Sequence, residues 1–221
     1  MKLSHSIGAA LVLSAGSLAI AGQPVELEPS EWAGGLSGIN NTQLSELDAS
    51  EFFNYFDSFQ IQSSNDQSLL YEANFLTRVV RSAETGELHM NYRILNSNDS
   101  LDGQISHVEV TGFEGWMTRV EYRNGSGSAG VQGPIDAMRG ATGDMLMFDF
   151  GEQLATAEDS RFFFAMTNAM EYENDIATAT VYLTSGESAS FSVAGVSGVV
   201  PAPGALGLLA AGGLLTIRRR R

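Results

Sequence analysis

The chain has 221 residues, no cysteine, and 26 acidic residues against 12 basic ones, for a net charge of −14. The missing cysteines exclude a disulfide framework, a thiolate metal site and a thiol nucleophile, and so acidic a surface repels nucleic acid and anionic lipid. The length suits one domain with a sizeable core, flanked by short processing segments.

Lys2 supplies a positive n-region, residues 7–20 an apolar h-region, and Ala19-Ile20-Ala21 a small-x-small cleavage site. This order predicts a signal peptide over residues 1–21, read by the export machinery and removed after Ala21. Residues 22–66 are predicted as an N-terminal arm and a short helix. The arm is polar and rich in Gly and Asn. Its Trp32 either packs the arm onto the body or stacks on a ligand. Asp48-Ala49-Ser50-Glu51 has capping-box spacing, and Phe52, Tyr55, Phe56 and Phe59 then fall at i, i+3, i+4 and i+7. That pattern predicts a helix presenting one aromatic face.

From residue 67 to 198 the period changes to two, and a β-sandwich domain is expected. Leu69, Tyr71, Ala73, Phe75, Thr77 and Val79 alternate with mostly polar partners, as do Leu88, Met90, Tyr92 and Ile94 after the turn at 83–86. The pair reads as a hairpin. Further strands are expected over 104–110, 116–123, 145–150, 161–167, 176–184 and 188–196. In 116–123, Trp116, Thr118, Val120 and Tyr122 share one side, so Trp116 should face the core. About eight short strands without an intervening long helix predict an all-β fold, an antiparallel sandwich of jelly-roll type.

The chemistry in this body is sparse. His89 and His107 lie in strand-like segments away from any nucleophile-elbow or zinc spacing, and are expected as surface residues facing outward. Gly125-Ser126-Gly127-Ser128-Ala129-Gly130 matches GxGxxG formally, but no helix pattern follows it, so it reads as a loop. Asp144, Asp149, Glu109 and Glu121 sit in or beside strands without a setting that marks a catalytic pair. No catalytic residue and no cofactor is predicted, apart from calcium. Residues 96–103 gather Asn96, Asn98, Asp99 and Asp102 in one turn, a candidate calcium loop without EF-hand spacing, built from residues that ordinary turns also use.

The last segment, 199–221, is organised differently. Val200-Pro201-Ala202-Pro203 precedes an apolar run ending at Ile217, and Arg218, Arg219, Arg220 and Arg221 close the chain. The run is short of the ~20 residues that cross a bilayer comfortably. Four arginines stop translocation and stay on the cytoplasmic side, while the prolines keep the preceding backbone extended. This three-part tail resembles the PEP-CTERM sorting signal, with Ala202 where that family usually carries Glu. The resemblance implies a transmembrane sorting helix, recognition by an exosortase-type processing enzyme, and an association with exopolysaccharide at the cell surface. Removing both ends takes away Lys2 and four arginines but no acid, leaving a body of about −19.

The expected protein is therefore non-enzymatic: exported across the inner membrane, transiently anchored by its C-terminal helix, then released to the surface or extracellular matrix. The alternative is a carbohydrate-binding sandwich, calcium-assisted, with polysaccharide as partner. Exposed aromatic rings would favour the alternative, and buried rings the structural domain.

Overall fold

In the computed structural model, residues 17–18, 23–40, 49–125 and 130–200 are described. Thirteen strands follow in chain order: β1 (Ser17–Leu18), β2 (Val25–Glu26), β3 (Trp32–Gly34), β4 (Ala49–Gln62), β5 (Leu69–Ser82), β6 (Leu88–Leu95), β7 (Gln104–Val110), β8 (Thr118–Tyr122), β9 (Asp136–Arg139), β10 (Leu146–Ala155), β11 (Phe163–Thr167), β12 (Glu171–Leu183) and β13 (Ser188–Ser197). They form a seven-stranded sheet, β1-β3-β9-β10-β7-β12-β13, and a six-stranded sheet, β2-β8-β11-β6-β5-β4. Both sheets are antiparallel except for the two-residue β1–β3 ladder. No helix occurs among the described residues.

Alternation builds the core. Tyr71, Phe75 and Val79 of β5, Met90 and Tyr92 of β6, and Phe163 of β11 belong to one buried cluster with Val108 of β7, Phe148 of β10 and Val181 of β12. These residues come from both sheets, so the inner faces share one sandwich-like core. Phe163 carries much of the contact between the layers, with its ring 4.9 Å from Phe148 and 5.5 Å from Phe150. Trp116 belongs to the same core cluster, as expected, although it precedes β8 and does not lie in it, and the expected β5–β6 hairpin forms, with Thr77 opposite Tyr92.

The short helix predicted over 52–59 is not formed. Residues 49–62 are a single strand, antiparallel to β5 from Ala49 opposite Ser82 to Gln62 opposite Leu69. The same aromatics also satisfy period two: Phe59 and Ile61 are buried, alternating with exposed Ser58 and Gln60. Aromatic and β-branched side chains suit a pleated surface, and the long ladder with β5 decides between the two periods. The predicted arm likewise contributes strands: β2 pairs with β8 and β3 with β9.

Arg139 ties these layers together at one end. Only 4% exposed, it donates from Nε to the Gly143 carbonyl (2.9 Å), from Nη1 to that of Leu27 (2.8 Å), and from Nη2 to those of Phe113 (2.9 Å) and Trp116 (2.7 Å). Four carbonyl acceptors satisfy a guanidinium that would otherwise be costly to bury. The arm, β9 and the loop before β8 are thereby held as one unit.

Candidate functional site

The two outer faces differ in charge, and the ladder registers show how. On the six-stranded sheet, one row across β8, β11, β6, β5 and β4 reads Glu121, Phe164, Asn91, Arg78, Asn54. Arg119 of β8 and Arg123, just past its end, flank Glu121, and His89 and Arg93 flank Asn91 on β6. Arg78, Arg93 and Arg123 all approach the Phe162 ring, at 4.6, 5.7 and 5.8 Å. Arg93 pairs with Asp159 at 2.7 Å, and Arg123 donates to Asn91 Oδ1 at 2.9 Å.

This face is not a solvated surface. Phe164, Met166 and Asn91 are buried, and so is His89, which corrects its expected place on the surface. Burial, and then the positive fields of Arg119 and Arg123, push His89 down to about 4. Glu121 points outward as expected for its strand position but is buried too. Burial raises its pKa, against the lowering effect of backbone donors that include Tyr122 and Gly38.

The outer face of the seven-stranded sheet is half-buried to exposed among the described residues. One row from β3 to β13 reads Trp32, Met138, Met147, Glu109, Thr180, Ser190; the next reads Gly34, Asp136, Asp149, His107, Tyr182, Ser188. Trp32 is 47% exposed, and its indole lies across Gly34. A Cβ at Gly34 would collide with three carbons of the ring, so glycine is what lets the indole lie along the sheet. Farther along, the His107 and Tyr182 rings stack at 4.3 Å and 13°. The Tyr182 hydroxyl donates to Glu109 at 3.2 Å.

Two carboxylates stand side by side between these ring systems. Asp136 and Asp149 are directly opposed on β9 and β10, and each uses Oδ1 to accept a backbone N–H, from Gly35 at 2.8 Å and Gly151 at 2.7 Å. Those bonds orient the acids. Gly151, at φ 58°, opens the irregularity in β10 that follows Asp149. His107 Nδ1 meets Ser106 Oγ at 2.8 Å, but that hydroxyl donates to the Tyr182 carbonyl at 3.3 Å. The contact between these neighbouring side chains holds the imidazole in place against Tyr182.

The candidate calcium loop is occupied by its own bonds. Asn98 Oδ1 accepts the Ser100 backbone N–H at 3.1 Å, the Asn98 side-chain amide donates to Glu72 at 3.2 Å, and the backbone N–H of Asn96 donates to Asp159 at 2.9 Å. Asp99 and Asp102 are exposed. Asp102 alone of the four lines the adjacent cleft of about 410 Å³, with Glu187 as its second carboxylate. Among the described residues no three His, Asp or Glu side chains converge as a metal group.

Of the sorting-motif residues, Val200 is described: it packs on the core and closes over Gly115. Pro201, Ala202, Pro203 and Arg218 to Arg221 lie outside the described residues, as do Ala19 and Ala21 of the cleavage site. Residues 126–129 of the GxGxxG match also lie outside them. Sequence reasoning named Trp32 and Asp149 but missed Asp136, because β9 is four residues long and follows a Gly-rich loop. The alternation of Asp136 and Met138 with Ala137 and Arg139 was the available signal. Comparisons with protein-family models, with curated proteins and with solved structures found no match.

Proposed function

We propose that this chain is a non-enzymatic exported protein of the cell surface or extracellular matrix, processed at its C-terminus by an exosortase-type enzyme. The observation that carries this reading is the ordered tail: the Pro-marked motif at 200–203, an apolar run, and four terminal arginines. In this reading export machinery cleaves after Ala21. The C-terminal helix then anchors the chain transiently until processing releases the sandwich. A jelly-roll-type sandwich is supported by the way the chain changes sheet between β7 and β8, β8 and β9, β10 and β11, and β11 and β12.

The test is the intact mass of protein made in a Gram-negative host with a matching exosortase. The mature species should begin near Gly22 and lack the arginine cluster. A product retaining both Met1 and Arg221 in that host would remove the sorting argument.

Carbohydrate binding is the second reading, favoured by one observation: the exposed indole of Trp32 lying on the sheet. Aromatic platforms of this kind stack on the apolar faces of sugar rings. Trp116, buried in the core, takes no part. Calcium assistance belongs to this reading, with Asp99 and Asp102 as the acids available to it.

A further inference from the structure

We propose that the outer face of the seven-stranded sheet docks an amino-sugar polysaccharide, with Trp32 stacking on a ring and Asp136, Asp149 and Glu109 receiving its ammonium groups. The proposal rests on the carbohydrate reading above and specifies its ligand. Its basis is the segregation of charge between the two outer faces. The body holds seven arginines and no lysine. Arg78, Arg93, Arg119 and Arg123 stand on the outer face of the six-stranded sheet, Arg139 is buried at one end, Arg81 donates to the Gly86 and Met170 carbonyls, and Arg161 lies over the Tyr122 ring. The described rows of the seven-stranded sheet carry three carboxylates and no arginine. Any glycan lying on this face therefore meets one sign of charge. An acidic polysaccharide is repelled, a neutral one pays to desolvate the carboxylates, and a cationic one pairs with them.

Spacing gives the ligand its length. Trp32 on β3 and Tyr182 on β12 are separated by four strand intervals, about 19 Å at the usual inter-strand distance. A monosaccharide cannot touch both, whereas an extended oligosaccharide running across the strands passes Trp32, then Asp136 and Asp149, then the His107–Tyr182 stack. The carboxylates have capacity for it. Asp136 and Asp149 each commit one oxygen to a backbone N–H, which fixes the side chain and leaves the second oxygen for an ammonium donor.

The experiment is titration calorimetry of the chain against three hexamers: β-1,4-glucosamine with free amines, its N-acetylated form, and cellohexaose. It is run at a pH where the amines are charged, and repeated at high salt. The glucosamine hexamer should bind roughly tenfold or more tighter than the other two, with the advantage shrinking as salt rises. Asp136→Asn with Asp149→Asn should remove that advantage, and Trp32→Ala should weaken all binding. Glu84→Gln with Glu114→Gln, exposed acids elsewhere, should change nothing. Equal affinity for all three hexamers would overturn the amino-sugar assignment and leave the carbohydrate reading standing. No binding of any hexamer would overturn both. Glucosamine binding that falls equally in the control variant, or is untouched by Trp32→Ala, would reduce it to attraction between a polycation and an acidic protein, and the proposal fails.

Discussion

His89 shows what a single residue contributes to the behaviour of this fold. Its ring is 2% exposed and its Nδ1 has no hydrogen-bond partner, so the neutral form is the one buried. Its pKa is about 4 in the folded chain, against about 6.5 when unfolded. Between those values the unfolded state binds the extra proton. The stability that His89 contributes is therefore complete above about pH 6.5 and is lost as pH falls toward 4, on the order of 3 kcal/mol in all. Glu121 acts with the opposite sign. Its raised pKa contributes stability at low pH that is lost as pH rises through the folded value. Because Glu121 is common to both proteins, the comparison of wild type with His89→Gln isolates the histidine. Melting temperatures measured from neutral pH down to about 4 should fall more steeply for wild type than for the variant; parallel curves would mean that His89 is not held neutral. The alternation on β6 correctly put His89 opposite Leu88 and Met90. It could not convey burial, because whether an outer face is solvated depends on chain segments remote in sequence, and that information is tertiary.

The elements divide by how strongly a period is written into them. Gln104–Val110 forms over the predicted span, and the β5–β6 hairpin follows its alternation, because each face of these strands meets a different environment. β4 is ambiguous in sequence because Phe52, Tyr55, Phe56 and Phe59 satisfy a helical face while Tyr55, Phe59 and Ile61 satisfy a pleated one. Only pairing with β5 arbitrates. β2, β3 and β9 have two to four residues each, too few for any period to show. They exist because neighbouring strands offer unpaired edges. For the same reason the candidate face was only partly legible: Trp32 and Asp149 could be named, but their alignment with Asp136 and His107 is a matter of register. The loop at 96–103 supplies the prediction at this scale. With the Asn98 side chain committed to turn and tether bonds, calcium and magnesium should raise the melting temperature equally, as general screening of an acidic body. Asp99→Ala with Asp102→Ala should leave that response unchanged. A saturable rise specific to calcium, abolished by the double variant, would establish the loop as a site.

At the scale of the molecule, the processing proposed above would require the sandwich to remain intact once its ends are removed, and the strand pairing shows where the chain can be shortened. β1 lies inside the predicted signal peptide and pairs only Ser17 with Ala33 and Leu18 with Gly34. Cleavage after Ala21 removes this ladder, worth a few hydrogen bonds at about 1 kcal/mol each, and makes β3 the edge of its sheet. A three-residue edge strand offers little template for pairing with another chain. The next residues inward are different in kind. Val25, Leu27 and Ala33 belong to the buried core, and the Leu27 carbonyl accepts from both Arg139 and Thr118. Removing them would leave a buried guanidinium short of an acceptor, a loss of several kcal/mol from a domain whose total stability is of similar size. A chain spanning residues 22–200 should therefore melt cooperatively, within a few degrees of one that keeps residues 1–21. A chain beginning at Gly35 should show no cooperative transition. Calorimetry of the three, with amide exchange to follow β3 and β9, decides the matter. If the chain beginning at Gly22 were unfolded while the longer one folded, the β1 ladder would be integral to the sandwich, and cleavage after Ala21 would have to be abandoned.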